Sequence, residues 1–256
     1  MMTTWNRWIG KTQRSVLHPL AIAAVVSLAF ALGLSACENV QGYTQPTLVR
    51  IIDASYIAGA INVYVENELV AGNIAAPYVA TNYATLAATG SAQVVVTPAA
   101  ATGSILTNAL VTANVTLLAG QQHSVFLTDN GSSPTSYTVT VIQDQQITAP
   151  AGHSEFRFIN EAPRTGANGV DIYMVPTGST LGDANLLLTV PLGTTEGYTI
   201  VPAETLSMIV APSGQTTVYS TTALNLVGGE VRTVLITDSQ LTNKPPLVLI
   251  IADDVN

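Results

Sequence analysis

The chain has 256 residues, of which only 9% are charged, against roughly 25% in an average soluble domain. Eight Lys and Arg against sixteen Asp and Glu give a net charge of −8, with no basic stripe to neutralise phosphates, which excludes nucleic acid as a partner. Hydrophobic residues make up 48% and are scattered among Thr, Ser, Gly, Asn and Gln, a balance that specifies a folded chain and not a disordered one.

Residues 1–36 divide into a cationic part with Arg7, Lys11 and Arg14, an apolar stretch from Leu20 to Leu34, and small residues before the single cysteine. That is the layout of a secretory signal. Its apolar core is about 15 residues, short of the ~20 that a spanning helix needs. The run Leu34-Ser35-Ala36-Cys37 resembles the bacterial lipoprotein signal, in which cleavage leaves a lipid-bearing cysteine as the first residue. Lipidation at Cys37 consumes the only thiol, so no disulfide, thiolate catalysis or Cys-based zinc site is expected downstream. Loss of the signal leaves five bases against sixteen acids, a net charge of −11.

Downstream, the chain repeats itself. Val115–Asp129 aligns without gaps on Leu224–Asp238 at an offset of 109, which also pairs Ile61–Val65 with Val170–Met174 and Val141–Asp144 with Ile250–Asp253. Val49–Ala54 matches Phe156–Glu161 at 107, and Val96–Pro98 matches Val210–Pro212 at 114. Offsets that drift while keeping their order mean duplicated domains with loop insertions. The expected layout is a signal peptide over 1–36, a lipidated tether over 37–47, a first domain over 48–146, a linker over 147–154 and a second domain over 155–256.

Within each copy the apolar period is two. Val49 and Ile51 alternate with Arg50 and Ile52, Ile61 and Val63 with Asn62 and Tyr64, and Val170 and Ile172 with Asp171 and Tyr173, as half-buried strands require. β-Branched runs such as Val94-Val95-Val96 suit strands buried on both faces, and Gly and Pro punctuate the runs. The fold class is all-β, two tandem immunoglobulin-like β-sandwiches after a lipoprotein signal peptide.

The opening strand Val49–Ser55, the strand Val170–Tyr173, and the turn and strand Leu118–Phe126, each present in both copies, resemble the bacterial family DUF 4397, a domain of unknown function. The resemblance covers residues 48–145 and 155–254. It implies secreted or surface-anchored proteins with an immunoglobulin-like fold and supplies no catalytic residues. Where the family often carries His-Ala-Ser-Pro after the first strand, this chain has Asp53-Ala54-Ser55-Tyr56 and Asn160-Glu161-Ala162-Pro163.

Constellations for chemistry are sparse. His123, on a strand, and His153, in the linker, read as solvated residues, and no Gly-x-Ser-x-Gly elbow accompanies them. Two unrelated histidines without cysteine do not make a zinc site. Asp129-Asn130-Gly131-Ser132, Asp144, and Asp253-Asp254 hold acids that a weak calcium site could use, but Asp129 and Asp238 end matching strands, where Asp bonds the backbone of the next turn. No catalytic residue, metal site or cofactor is expected.

Arg50 and Arg157 stand out, because two of five basic residues occupy equivalent positions. With the first two strands of each copy paired antiparallel, Arg157 would face Asp171 and stack on Tyr173, and Arg50 would meet Asn62 and Tyr64. Such exposed contacts contribute on the order of 0.5–1 kcal/mol each. Tyr43, Tyr56, Tyr78, Tyr83, Tyr137, Tyr198 and Tyr219, near loops and strand ends, are rim residues or contact residues.

The functional expectation is a non-enzymatic cell-envelope lipoprotein serving surface interaction, adhesion or assembly. The alternative is a carbohydrate- or small-ligand-binding lipoprotein with its site in the loops or at the crease between domains. The partners are then the membrane, through lipid on Cys37, and an envelope protein or a glycan. The default location is the outer rather than the inner membrane.

Overall fold

The computed structural model describes residues 45–254, apart from 56, 80–81, 88–89, 130–135 and 239–246. The signal, Cys37, Tyr43, Tyr56 and the Asn130–Ser132 fragment lie outside the described residues. The described chain is all-β. The first copy comprises β1 (Thr47–Asp53), β2 (Ile61–Val65), β3 (Glu68–Ile74), β4 (Tyr78–Val79), β5 (Ala84–Leu86), β6 (Ala92–Pro98), β7 (Val111–Val115), β8 (Gln122–Asp129) and β9 (Tyr137–Gln143). The second runs through β10 (His153–Asn160), β11 (Val170–Pro176), β12 (Leu186–Val190), β13 (Thr194–Thr195), β14 (Thr199–Pro202), β15 (Thr205–Pro212), β16 (Ser220–Asn225), β17 (Val231–Asp238) and β18 (Leu247–Asp253).

The two copies have one topology. In the first, β1 pairs with β4 and β5 on one edge and with β8 on the other, and β9 follows β8; the facing sheet has the order β3-β2-β6-β7. In the second, β10 holds the place of β1 between β13 and β14 on one side and β17-β18 on the other, and the facing sheet is β12-β11-β15-β16. The β1–β8 and β10–β17 pairs are parallel. A parallel pair needs a long crossover, and the intervening chain builds the facing sheet.

The expected antiparallel pairing of the first two strands does not occur, because the connection after β1 carries the chain across the sandwich. β1 and β2 lie in different sheets, as do β10 and β11. Within the facing sheet, β2 turns into β3 through Glu66 and Asn67, both at positive φ (50° and 66°), the backbone of the two-residue turn that matches strand twist.

Three apolar clusters stack through the molecule. Val49, Ile51, Val63, Val94, Val96 and Val125 fill the first sandwich, and Phe156, Phe158, Ile172, Met208, Val210 and Val234 fill the second. A third cluster, with Ile52, Phe126, Ile159, Leu235, Ile250 and Ala252, joins strands of both copies. The β1-β8-β9 sheet therefore packs on its own partner sheet with one face and on the β10-β17-β18 sheet with the other. Four sheets are layered, and the middle two are covered on both sides. This explains the two kinds of strand: β8 and β17 are buried almost end to end, whereas β7 and β16, on the outer sheets, alternate. Continuous burial follows from two covered faces, and alternation from one.

Candidate functional site

Opposite Val49 and Ile51, the side chain of Arg50 leaves β1 on the face shared with Ile52, toward the second sandwich. Arg157 does the same from β10, beside Ile159. Both guanidinium groups are buried, with side chains 1% and 6% exposed. Charge at that depth is tolerated only when paired and hydrogen-bonded, and each arginine is paired across the interface. Arg50 Nη2 lies 2.7 Å from Asp254 Oδ1 of the second copy, and Arg157 Nη2 lies 2.5 Å from Asp144 Oδ1 of the first. Each is farther from the aspartate of its own copy, at 3.5 Å for Arg50–Asp144 and 3.6 Å for Arg157–Asp254.

The surrounding hydrogen bonds repeat with the same approximate two-fold symmetry. Ser124 on β8 accepts from Arg50 Nε at 3.0 Å and donates to Asp144 Oδ2 at 2.7 Å. Thr233 on β17 accepts from Arg157 Nε at 3.1 Å and donates to Asp254 Oδ2 at 2.7 Å. The Tyr83 hydroxyl donates to Asp144 at 2.8 Å and the Tyr198 hydroxyl to Asp254 at 2.7 Å. Each tyrosine ring also lies under the guanidinium of its copy, 4.9 Å from ring centroid to Cζ in both cases. The remaining arginine donors reach main-chain carbonyls across the crease: Arg50 Nη1 to Asp253 O, and Arg157 Nη1 to Gln143 O. The aspartates are held at the strand ends by their own amides, Asp144 N–H on Gln122 O and Asp254 N–H on Val231 O, each at 2.8 Å.

Electrostatics follow from that enclosure. Burial works against the charge of Arg50, but Asp144, Tyr83 and Asp254 outweigh it and raise its pKa. Burial, with Asp144 beside it, raises the Asp254 carboxyl. Burial and the nearby carboxylates likewise raise both phenols, Tyr83 and Tyr198, so these remain hydrogen-bond donors. The cluster has no exposed nucleophile or base. It is a fastening, with two cations, two anions and four hydroxyls satisfying one another.

The structure places the other expected residues elsewhere. Asp171, on β11, accepts from Thr189 Oγ1 at 2.7 Å and from Gly214 N at 2.8 Å. These donors and the Tyr173 hydroxyl outweigh its burial and hold the carboxyl below the usual range. Asn62, its counterpart, accepts from Asn73 N at 2.8 Å. Arg157 thus meets Tyr198, not Asp171 or Tyr173, and Arg50 meets Tyr83, not Asn62 or Tyr64, because β2 and β11 belong to the outer sheets. Tyr64 is half-buried on β2. His123 is buried and not solvated: it contacts Thr47 Oγ1 at 3.1 Å and accepts from Leu118 N at 3.3 Å, and burial lowers its pKa. His153 is exposed but opens β10. Asp144 and Asp254, considered above as calcium ligands, are filled by guanidinium.

Sequence reasoning singled out the arginines and missed their partners. Aligning Asp144 with Asp253 was one residue out: the strand registers pair His123 with Gln143 and Arg232 with Asp253, which makes Asp254 the equivalent of Asp144. A one-residue slip in a strand moves a side chain to the other face. The signal for the tyrosines was an offset of 115 between Tyr83 and Tyr198, in line with the drift to 114 just downstream.

Residues 47–173 match the family described as domain of unknown function, DUF4397. The match spans the first sandwich and continues into β11. No curated protein matches the chain in sequence. Among solved structures, it is similar to a streptococcal virulence factor described as binding α-glucan, with 10% identity, 78% of this chain and 97% of that chain covered and a TM-score of 0.26. It is also similar to family 41 carbohydrate-binding modules of streptococcal virulence factors (12% identity, 78% and 98% covered, TM-score 0.25) and to the fimbrial anchor protein Mfa2 of Porphyromonas gingivalis (8%, 82% and 97%, 0.22). No residue of the crossed cluster is carried over from these likenesses.

Proposed function

We propose that this chain is a non-enzymatic cell-envelope lipoprotein, anchored by lipid on Cys37 in the outer membrane, that presents a rigid pair of β-sandwiches for surface interaction, adhesion or assembly. The observation that carries the reading is the crossed cluster. Catalysis draws on ionisable groups held in a cleft where substrate can reach them. Here two of the few basic residues and two aspartates are sealed between sheets, where they fix one sandwich on the other. A fixed relative orientation is what a presenting module requires, since a hinge would add an entropy cost to every contact made by both sandwiches. The lipobox-like run before Cys37 supports the anchor, and at least two acyl chains are what stable attachment requires.

The test is made on intact cells. Labelled palmitate should enter the protein, Cys37→Ser should abolish both the label and membrane sedimentation, and externally added protease should cleave the sandwiches. Full protection of the chain from protease in intact cells would overturn the surface reading, and label retained in Cys37→Ser would overturn the anchor.

A further inference from the structure

A second feature lies at the rim of the crease. A cleft of about 700 Å³ opens between the copies, lined by Gln121, Gln143, Gln145, Gln146, Glu155 and Tyr198, with Ile147 and Pro150 at its edge. Its volume is in the range of small-ligand sites. Four of the eleven glutamines of the chain meet there. We propose that this cleft binds a neutral, polyhydroxylated ligand, a short oligosaccharide segment.

Three observations carry this. First, the amides are pre-positioned. Gln143 Nε2 donates to Gln121 Oε1 at 2.8 Å, Gln145 Nε2 to Glu155 Oε2 at 2.7 Å and to Ile147 O at 2.9 Å, and Gln146 Nε2 to Gly120 O at 3.2 Å. Anchored through nitrogen, Gln143, Gln145 and Gln146 each present a carbonyl oxygen that takes no donor from the described residues. Side chains already fixed lose little entropy on binding, and a row of acceptors suits vicinal hydroxyls. Second, no Lys, Arg or His among the described residues lines the cleft, and with Asp144 already paired to Arg157 the carboxylate of Glu155 is the charge a ligand meets, which disfavours an anion. Ile147 is 75% exposed, and with Pro150 it offers an apolar surface to the C–H face of a sugar ring.

Third, the glutamines are not required by the fastening beneath them. At the symmetry-related rim, Gln121 and Gln143 are replaced by Glu230 and Asp253, and Arg232 binds both, each at 2.9 Å. One rim is tied by ion pairs, and the other carries amides in their place. The same fastening lies under both, so the difference belongs to the rim.

This goes beyond the envelope role and does not depend on Cys37 or on location, so it is tested separately. The detergent-solubilised full chain is titrated calorimetrically with neutral gluco-, manno- and galacto-oligosaccharides, with oligogalacturonate as an acidic control and spermidine as a cationic one. At least one neutral series should bind. Gln143→Ala and Gln146→Ala should each weaken it about three- to tenfold, the equivalent of one hydrogen bond, with unchanged melting temperature, and Arg232→Gln, on the opposite rim, should bind as the parent does. No neutral series binding, tighter binding of oligogalacturonate or spermidine, or unaltered affinity in both glutamine variants would overturn the proposal.

Discussion

Arg50 and Asp254 are 204 positions apart in the chain and 2.7 Å apart in the fold, and their symmetry mates Arg157 and Asp144 are joined at 2.5 Å. Each sandwich thus supplies the counter-ion of the other. A buried pair of this kind is costly to break, because the surviving partner is left as an uncompensated charge. Arg50→Ala and Asp254→Ala should each destabilise by about 3–5 kcal/mol. The double variant should cost clearly less than the sum, a coupling that a denaturation cycle measures. Strict additivity would mean that the pair is not coupled.

The symmetry makes a matched prediction. Tyr83→Phe and Tyr198→Phe each remove one donor from a buried carboxylate while retaining the ring under the guanidinium. Each should cost about 1–3 kcal/mol, Tyr198→Phe the more of the two because the Tyr198 hydroxyl also accepts from Gln145 N at 3.1 Å. Chemical denaturation of both variants checks this, and a large cost in one with none in the other would show that the halves of the cluster are not equivalent.

Asp53 gives a pH dependence. It is buried at the end of β1, accepts from Ser55 N at 3.0 Å through Oδ1, and has no partner for Oδ2 among the described residues. Burial, with Asp129 nearby, pushes its carboxyl up to about 7. Its folded-state pKa is above the unfolded value of about 3.9, so its contribution to stability is fully present below about pH 4 and is lost as the pH rises through about 7. In the second copy the position is Asn160, whose amide donates to Val190 O at 3.0 Å and to Thr165 Oγ1 at 3.1 Å. Asp53→Asn should therefore flatten the melting temperature between about pH 4 and 8 and raise it at pH 8. Parallel pH curves for variant and parent would contradict the assignment.

Phe126 lies in neither sandwich core but in the cluster between them, as does Leu235. Truncation to alanine should cost about 3–5 kcal/mol for Phe126 and about 2–5 kcal/mol for Leu235. Beyond the lost stability, Phe126→Ala should make the 144–153 segment more sensitive to limited proteolysis, since the linker, already exposed at Ile147, is no longer held at both ends once the sheets part. A digestion pattern identical to the parent would argue that the interface tolerates the cavity.

Much of the architecture was legible in the residues. Period-two alternation marked the strands, and the drifting offsets revealed the copies, because duplicated strands keep their pattern while loops vary. Arg50 and Arg157 were conspicuous through scarcity. Their partners were hidden for a physical reason: Asp144 and Asp254 directly follow the last strands of their copies, and which strand lies beside β1 is a matter of topology, which local pattern does not encode. Neighbouring strands in sequence are usually neighbours in space, and here the chain crosses the sandwich instead. The unbroken apolar runs Val125-Phe126-Leu127 in β8 and Val234-Leu235-Ile236 in β17 were the available hint that a second face was covered.

The central claim, that the crossed cluster makes two sandwiches into one unit, is tested most directly by scanning calorimetry of the full chain. One transition is expected, with calorimetric and van't Hoff enthalpies equal, and Arg50→Ala combined with Arg157→Ala should split it into two. Two independent transitions in the unaltered chain would contradict the account.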